Sequence, residues 1–133
     1  MAARRSSASK NSKTPIVASV AVVVSDRAAA KSWYTEKLGL NVLADDEHWV
    51  VVGRKGDGGQ LHLCQRSEAG DGQGMEPGAS GILLLLPGDF RRACARLKDG
   101  GVEFTQGPEK APWGWYATVR DPDGNEHYLM PSA

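Results

Sequence analysis

The chain has 133 residues, of which 41% are hydrophobic, and its 16 basic side chains balance 16 acidic ones. A chain of this length forms one ordinary domain that needs no disulfide or metal to fold, and its neutral balance gives no signal for nucleic acid or an anionic membrane. The longest aliphatic runs, 20–24 and 82–86, fall far short of the ~20 residues of a membrane-spanning helix. Cys64 and Cys94 are too few for a disulfide framework and indicate reduced thiols in a cytoplasmic protein.

The N-terminal segment differs in composition from the rest of the chain. Residues 1–15 contain four basic side chains and no acidic one, which leaves 12 basic and 16 acidic residues, a formal charge of −4, in 16–133. The segment lacks the apolar stretch of a secretory signal and the apolar face of a transit peptide. We therefore expect a disordered basic tail over 1–14 and a folded domain after it.

The first half of the domain alternates one helix with short strands. The Val-rich stretch 16–24 predicts a buried strand. Asp26 can cap the N-terminus of a helix over 27–38, and Gly39 stands where a left-handed C-terminal cap falls. Three further strands are predicted over 41–44, 49–52 and 60–64.

The same pattern restarts after a Gly-rich linker over 68–79. An apolar strand over 82–86 precedes Asp89, which can cap a second helix, and Gly100 and Gly101 end that helix. Further strands are predicted over 102–105, 116–119 and 126–130. The last two are joined by Asp-Pro-Asp-Gly-Asn, whose Pro, Gly and Asn favour a tight turn.

The two halves form an internal repeat of one strand, one helix and three strands. Asp26 and Asp89 are 63 residues apart, and Gly39 and Gly101 are 62 apart. We predict an α+β fold of tandem βαβββ modules whose curved, half-barrel mixed sheet surrounds a small-molecule cavity. The predicted modules span 15–67 and 80–133.

Two motifs carry a resemblance to a known group. VSDRAAAKSWYTEKLGL (24–40) and RDPDGN (120–125) resemble the vicinal oxygen chelate superfamily, which includes glyoxalases, extradiol dioxygenases, fosfomycin-resistance enzymes and bleomycin-resistance proteins. The likeness covers 16–131, and PWGWYATVRDPDGNEHYL (112–129) is most similar to bleomycin-resistance proteins. The resemblance implies the glyoxalase/bleomycin-resistance fold, a small-molecule ligand and a homodimer whose sites use both chains. It does not fix the activity, because this fold hosts many functions.

The resemblance also implies four positions for a divalent metal, and this chain departs from them. They fall at Ser19, Ile82, Tyr128 and near His62, and only the histidine is a good ligand, whereas a catalytic zinc usually has three protein ligands. His127 would join the ligand set only if the alignment with the family positions shifted by one residue. Neighbouring strand residues face opposite sides of a sheet, so His127 should point away when Tyr128 points in. We therefore predict no metal and no cofactor.

Aromatic side chains are the predicted ligand contacts instead. Trp113 can stack on planar or cationic molecules, whereas the face that Trp115 takes is left open. Leu61 and Leu63 should face the helices, so His62 faces the cavity as a polar lining residue. The predicted ligand-binding residues are Ser19, Trp49, His62, Trp113, Tyr116 and Tyr128, and none is predicted to be catalytic.

Three functions remain open at this point. The favoured one is a metal-independent protein that sequesters an amphiphilic molecule such as an antibiotic, since a net-acidic domain suits a cationic ligand. The alternative is a metal-dependent lyase, isomerase or dioxygenase with a non-standard metal site that includes His62. The third is a noncatalytic partner module that uses the linker and the tail as contacts.

Overall fold

The computed structural model describes residues 18–46, 50–65 and 76–132. The predicted tail, Trp49 and linker residues 68–75 lie outside these ranges. The first module comprises β1 (Val20–Val24), α1 (Arg27–Ser32), a π-helical turn (Trp33–Lys37), β2 (Asn41–Asp45), β3 (Val50–Gly53) and β4 (Gln60–Gln65). The second comprises β5 (Leu83–Leu86), α2 (Phe90–Asp99), β6 (Glu103–Ala111), β7 (Gly114–Arg120) and β8 (Glu126–Pro131).

The modules form two four-stranded mixed sheets with the same topology. The strand orders are β1-β4-β3-β2 and β5-β8-β7-β6. The first strand of each module runs parallel to the last strand, and the other pairs are antiparallel. The predicted α+β architecture of repeated βαβββ units is confirmed. The topology leaves β1 and β5 at the edges of their sheets.

Both helices begin at the predicted aspartates. The Asp26 carboxylate accepts a hydrogen bond from the Ala29 N–H at 3.1 Å, and the Asp89 carboxylate accepts one from the Arg92 N–H at 3.1 Å. Each bond pairs a backbone donor that the first helical turn would otherwise leave unpaired.

The first helix widens where the sequence predicts a continuous α-helix. After Ser32 the chain makes a π-helical turn, in which the Leu38 N–H donates to the Trp33 carbonyl five residues earlier at 3.0 Å. The wider turn buries Trp33 and Tyr34 next to each other, with their rings 4.8 Å apart and edge to face. Tertiary packing of these two rings thus overrides the simple helical period.

The two modules share one hydrophobic core between their helices and the facing sheets. Its buried members come from both halves of the chain. They include Val22, Val24, Tyr34, Leu61, Leu63, Phe90, Cys94, Ala117, Val119 and Leu129. Among the described helices, none combines enough length and apolar character to cross a bilayer.

The hairpin of β6 and β7 is longer than predicted. Strand β6 continues to Ala111 and β7 begins at Gly114, so only Pro112 and Trp113 separate them. The strand passes Pro108 because β6 is an edge strand and its register shifts between Gln106 and Glu109. Edge position and a bulge are the two settings in which a strand tolerates proline.

Candidate functional site

One face of the second sheet is apolar, aromatic and open to solvent. Tyr128 on β8 is 57% exposed and lies beside Leu83 of β5. Tyr116 is its diagonal neighbour on β7, since Thr118 pairs with Tyr128 and residues two apart share a face. The Trp113 ring lies 5.8 Å from the Tyr116 ring. We define the open face as Leu83, Leu85, Trp113, Tyr116 and Tyr128.

The Tyr116 hydroxyl on the open face is held by a neighbouring carboxylate. The Tyr116 hydroxyl lies 3.4 Å from a Glu109 carboxylate oxygen and donates to it. Desolvation, followed by the charge of Glu109, raises the pKa of the Tyr116 hydroxyl above its usual value. The phenol therefore stays protonated at neutral pH, its single O–H is used by Glu109, and its oxygen can accept a hydrogen bond from a ligand on this face.

His62 lies on the first sheet, beside a cysteine. It pairs with Ala21 and Val51 on the neighbouring strands, and it faces away from the helices because Leu61 and Leu63 lie in the core. Leu61 and Leu63 therefore face the core as predicted, while the role of His62 as a cavity-lining residue stays a prediction. The Cys64 sulfur lies 3.2 Å from His62 Nδ1, and both side chains are buried. The sequence predicts the shared face but not this contact.

The predicted binding residues do not converge on a single cavity within the described part of one chain. Ser19 lines a cleft of about 720 Å³ between the edges of β1 and β5. His62 lies on the first sheet, and the three predicted aromatic residues that the structure describes lie together on the second. Trp49 lies outside the described residues.

The four positions implied for a metal do not supply a ligand set. Within the described residues, no group of three or more His, Cys, Asp or Glu side chains lies close enough to hold an ion. His127 is fully buried and lies on the face opposite to Tyr128, as strand alternation predicts. The residues at these positions are a serine, an isoleucine without any donor atom, a tyrosine and a histidine, and this set does not fit a divalent metal.

The Asp-Pro-Asp-Gly-Asn turn joins the two modules. The Asn125 side-chain amide donates to the Val23 carbonyl of β1 at 3.1 Å and accepts from the Ser80 N–H at 2.8 Å. The Ser25 hydroxyl donates to an Asp123 carboxylate oxygen at 2.6 Å. The motif therefore holds the start of β5 against the end of β1, and it supports the site without lining it.

A buried polar chain continues from this turn into the core. The Tyr34 hydroxyl donates to the Asp121 carboxylate at 2.6 Å and lies 2.7 Å from His127 Nε2. The Ile82 N–H donates to His127 Nδ1 at 3.2 Å, so the imidazole carries its proton on Nε2 and donates to Tyr34. Burial lowers the pKa of His127, and the adjacent Asp121 carboxylate opposes this shift in part.

Sequence reasoning missed the supporting role of Tyr34, Asp121, Asn125 and His127. The turn motif was a usable signal, because its buried carboxylate and amide need partners. The hydrogen-bond partners of these side chains are up to 102 residues away in the sequence, and a local sequence pattern cannot predict such long-range pairs. The face of Trp115 is also settled: it packs against the core, with the Arg91 guanidinium 5.0 Å from its ring.

Comparisons with known proteins agree with this fold. The profile of the Glyoxalase/Bleomycin resistance protein/Dioxygenase superfamily matches residues 16–127. The uncharacterized protein YetH of Bacillus subtilis (strain 168) is 30% identical over 118 residues, which cover 85% of this chain and 95% of YetH.

Two solved structures are similar in both sequence and fold. TnmS3, an antibiotic binding protein from Streptomyces sp. CB03234, is 35% identical with a TM-score of 0.74, covering 90% of this chain and 97% of that one. A superfamily member from Sphaerobacter thermophilus DSM 20745 is 30% identical with a TM-score of 0.72, covering 90% and 99%. The chain therefore belongs to the glyoxalase/bleomycin resistance protein/dioxygenase superfamily.

Proposed function

We propose that this protein is a metal-independent binding protein that sequesters a flat amphiphilic small molecule, such as an antibiotic, on the open face. The observation that carries the proposal is the exposure of this face. Leu83, Leu85, Trp113 and Tyr128 are each more than half exposed. A contiguous apolar patch of this kind usually marks a ligand or partner surface.

The chemistry of the open face suits a planar ligand with polar edges. The Trp113 and Tyr116 rings offer stacking surfaces, and aromatic faces attract planar or cationic groups. Tyr116 and Tyr128 add hydroxyl groups that can hold the polar edge of a ligand. TnmS3 is described as an antibiotic binding protein, and its likeness over most of both chains supports the same class of ligand here.

A homodimer would complete the site. The open face covers only one side of a ligand, while His62 lies on the corresponding face of the other sheet. Two copies arranged so that the open face of one faces the His62 face of its partner would enclose the ligand. In this arrangement His62 is a polar lining residue, and Ser19 and Trp49 are further contacts. Neither Cys64 nor Cys94 forms a disulfide, and both are buried, which supports a reducing, cytoplasmic location.

The test is a titration of chelator-dialysed protein with polycyclic aromatic and glycopeptide antibiotics, bleomycin among them, followed by tryptophan fluorescence and calorimetry. We expect a saturable ligand that loses affinity by about tenfold or more in Tyr128→Ala and Trp113→Ala, the size of effect seen at well-placed aromatic contacts. Trp113→Phe keeps a ring and should retain most of the affinity. The absence of any ligand, or a ligand whose affinity neither alanine variant changes, would overturn the proposal.

A further inference from the structure

The edges of the two sheets diverge to form a cleft. Near the end of β1 the edges are held together, because the Val23 N–H donates to the Ser80 hydroxyl at 3.2 Å and Asn125 bonds the Val23 carbonyl. Toward the start of β1 the cleft opens to about 720 Å³ between residues 18–20 and 82–87. This volume lies within the range of small-molecule sites.

The cleft meets the open face at β5, because Leu83 and Leu85 line both, whereas its other walls lie on the helix side of the sheets. Val20 pairs with the core residue Leu61, and paired residues share a face. Ile82 and Leu84 likewise pack against the helix-side core. Trp113, Tyr116 and Tyr128 are not among the residues that line the cleft. The three aromatic side chains of the open face are therefore not part of the cleft wall.

The walls of the cleft are aliphatic, and its mouth is polar and basic. Leucines from the segment after α1 and from β5 supply the walls, and Asn41, Arg54 and Gln60 lie at the β3–β4 end. Among the described residues that line the cleft, Arg54 is the one charged residue, and none carries a carboxylate. The Arg54 guanidinium lies 3.5 Å from an Asp57 carboxylate oxygen, and both side chains are exposed. An exposed ion pair of this kind contributes little to stability.

We propose that this cleft is a second ligand site, which takes an amphiphile with an aliphatic chain and a carboxylate head group. The alkyl chain of the ligand would lie between the leucines, and its carboxylate would bind the Arg54 guanidinium. Charge complementarity selects an anionic head group, and the absence of aromatic walls favours an alkyl chain over a flat ring system. The cleft shares Ser19, Leu83 and Leu85 with the site proposed around the open face, but the inference does not rest on the function proposed there.

The experiment titrates full-length, chelator-dialysed protein with dodecanoate and, as the matched cation, with dodecyltrimethylammonium, followed by calorimetry. We expect saturable binding of dodecanoate, much weaker binding of the cation, and a loss of affinity of about tenfold in Arg54→Gln, the size of one charge-assisted contact. Lys55→Gln changes the neighbouring charge of the same loop, does not alter a lining residue, and should have a smaller effect.

A second variant tests the location without removing a contact. A Cβ atom added at Gly59 meets nothing within 4 Å, and its backbone is not left-handed. Gly59→Leu should therefore fold with an unchanged Tm and fill the mouth of the cleft, abolishing dodecanoate binding while leaving antibiotic binding at the open face unchanged. No dodecanoate binding, equal binding of the cation, or full binding by folded Gly59→Leu would each overturn the proposal. If Tyr128→Ala were the only variant that lost dodecanoate binding, the alkyl chain would lie on the open face, and this result would also overturn the proposal.

Discussion

The hydroxyl of Tyr34 lies between two buried groups with opposite hydrogen-bonding needs. It donates to Asp121 and accepts from His127, and all three side chains are almost fully buried. Burial, followed by the hydrogen bond to Asp121, raises the pKa of Tyr34 well above its usual range. The phenol therefore stays protonated around neutral pH, and the network depends on its proton.

Tyr34→Phe should destabilise the protein by about 1–3 kcal/mol, because it leaves a buried carboxylate oxygen and an imidazole N–H without this partner. Urea unfolding followed by circular dichroism measures the loss. Tyr116→Phe is the matched control, since that hydroxyl lies at the surface, and we expect a change within about 0.5 kcal/mol. Equal effects of the two substitutions would contradict the network.

Stability should fall as the pH drops below about 6.5, the usual pKa of histidine. Because the pKa of His127 is lowered in the folded state, the unfolded state takes up a proton first. The free energy of unfolding then falls until the pH reaches the lowered pKa, with a slope of at most about 1.4 kcal/mol per pH unit from this group.

Urea midpoints between pH 5 and 8 test this dependence. His127→Gln should remove this part of the dependence, because glutamine does not titrate in this range. A His127→Gln profile with the same slope as the native one would show that other groups are responsible.

Among the elements, those with a strong local signal were predictable from the sequence. The aspartate caps, the glycine that ends each helix and the Val-rich and Leu-rich strands are local features, and each lies where the sequence predicts it. The π-helical turn and the long β6–β7 hairpin were not predictable, since packing against distant residues decides both. At the site, strand alternation correctly turned Leu61 and Leu63 toward the core and separated Tyr128 from His127. It could not reveal that the predicted contacts lie on two different sheets.

Asp89→Ala should lower the stability by about 1 kcal/mol, because it removes the acceptor for an unpaired N–H at the start of α2. Asp89→Asn retains a side-chain acceptor and should cost much less. Tm values of the two variants measure the difference. A loss in Asp89→Asn as large as that in Asp89→Ala would indicate that the charge matters more than the cap.

At the scale of the whole molecule, the open face exposes apolar area that a second copy would cover. Leu83 and Leu85 are 56% and 58% exposed, and both lie on the edge strand β5. Sedimentation at micromolar concentration should therefore give a dimer mass. Leu85→Lys should shift the protein to monomer with little change in the circular dichroism spectrum, because a charge there is tolerated in water but not in an interface. A monomer at all concentrations would contradict the proposed dimer.

Binding without metal is the central claim, and one measurement tests it most directly. The dissociation constant of the tightest antibiotic ligand is measured by calorimetry for chelator-dialysed protein, whose metal content is verified by plasma mass spectrometry, and for the same protein reloaded with Zn²⁺. Because the described residues offer no ligand cluster for a metal, we predict equal dissociation constants in the two samples. Binding that disappears on chelation, returns with one metal ion per chain and is lost in His62→Ala would contradict the account and assign the chain to the metal-dependent members of its superfamily.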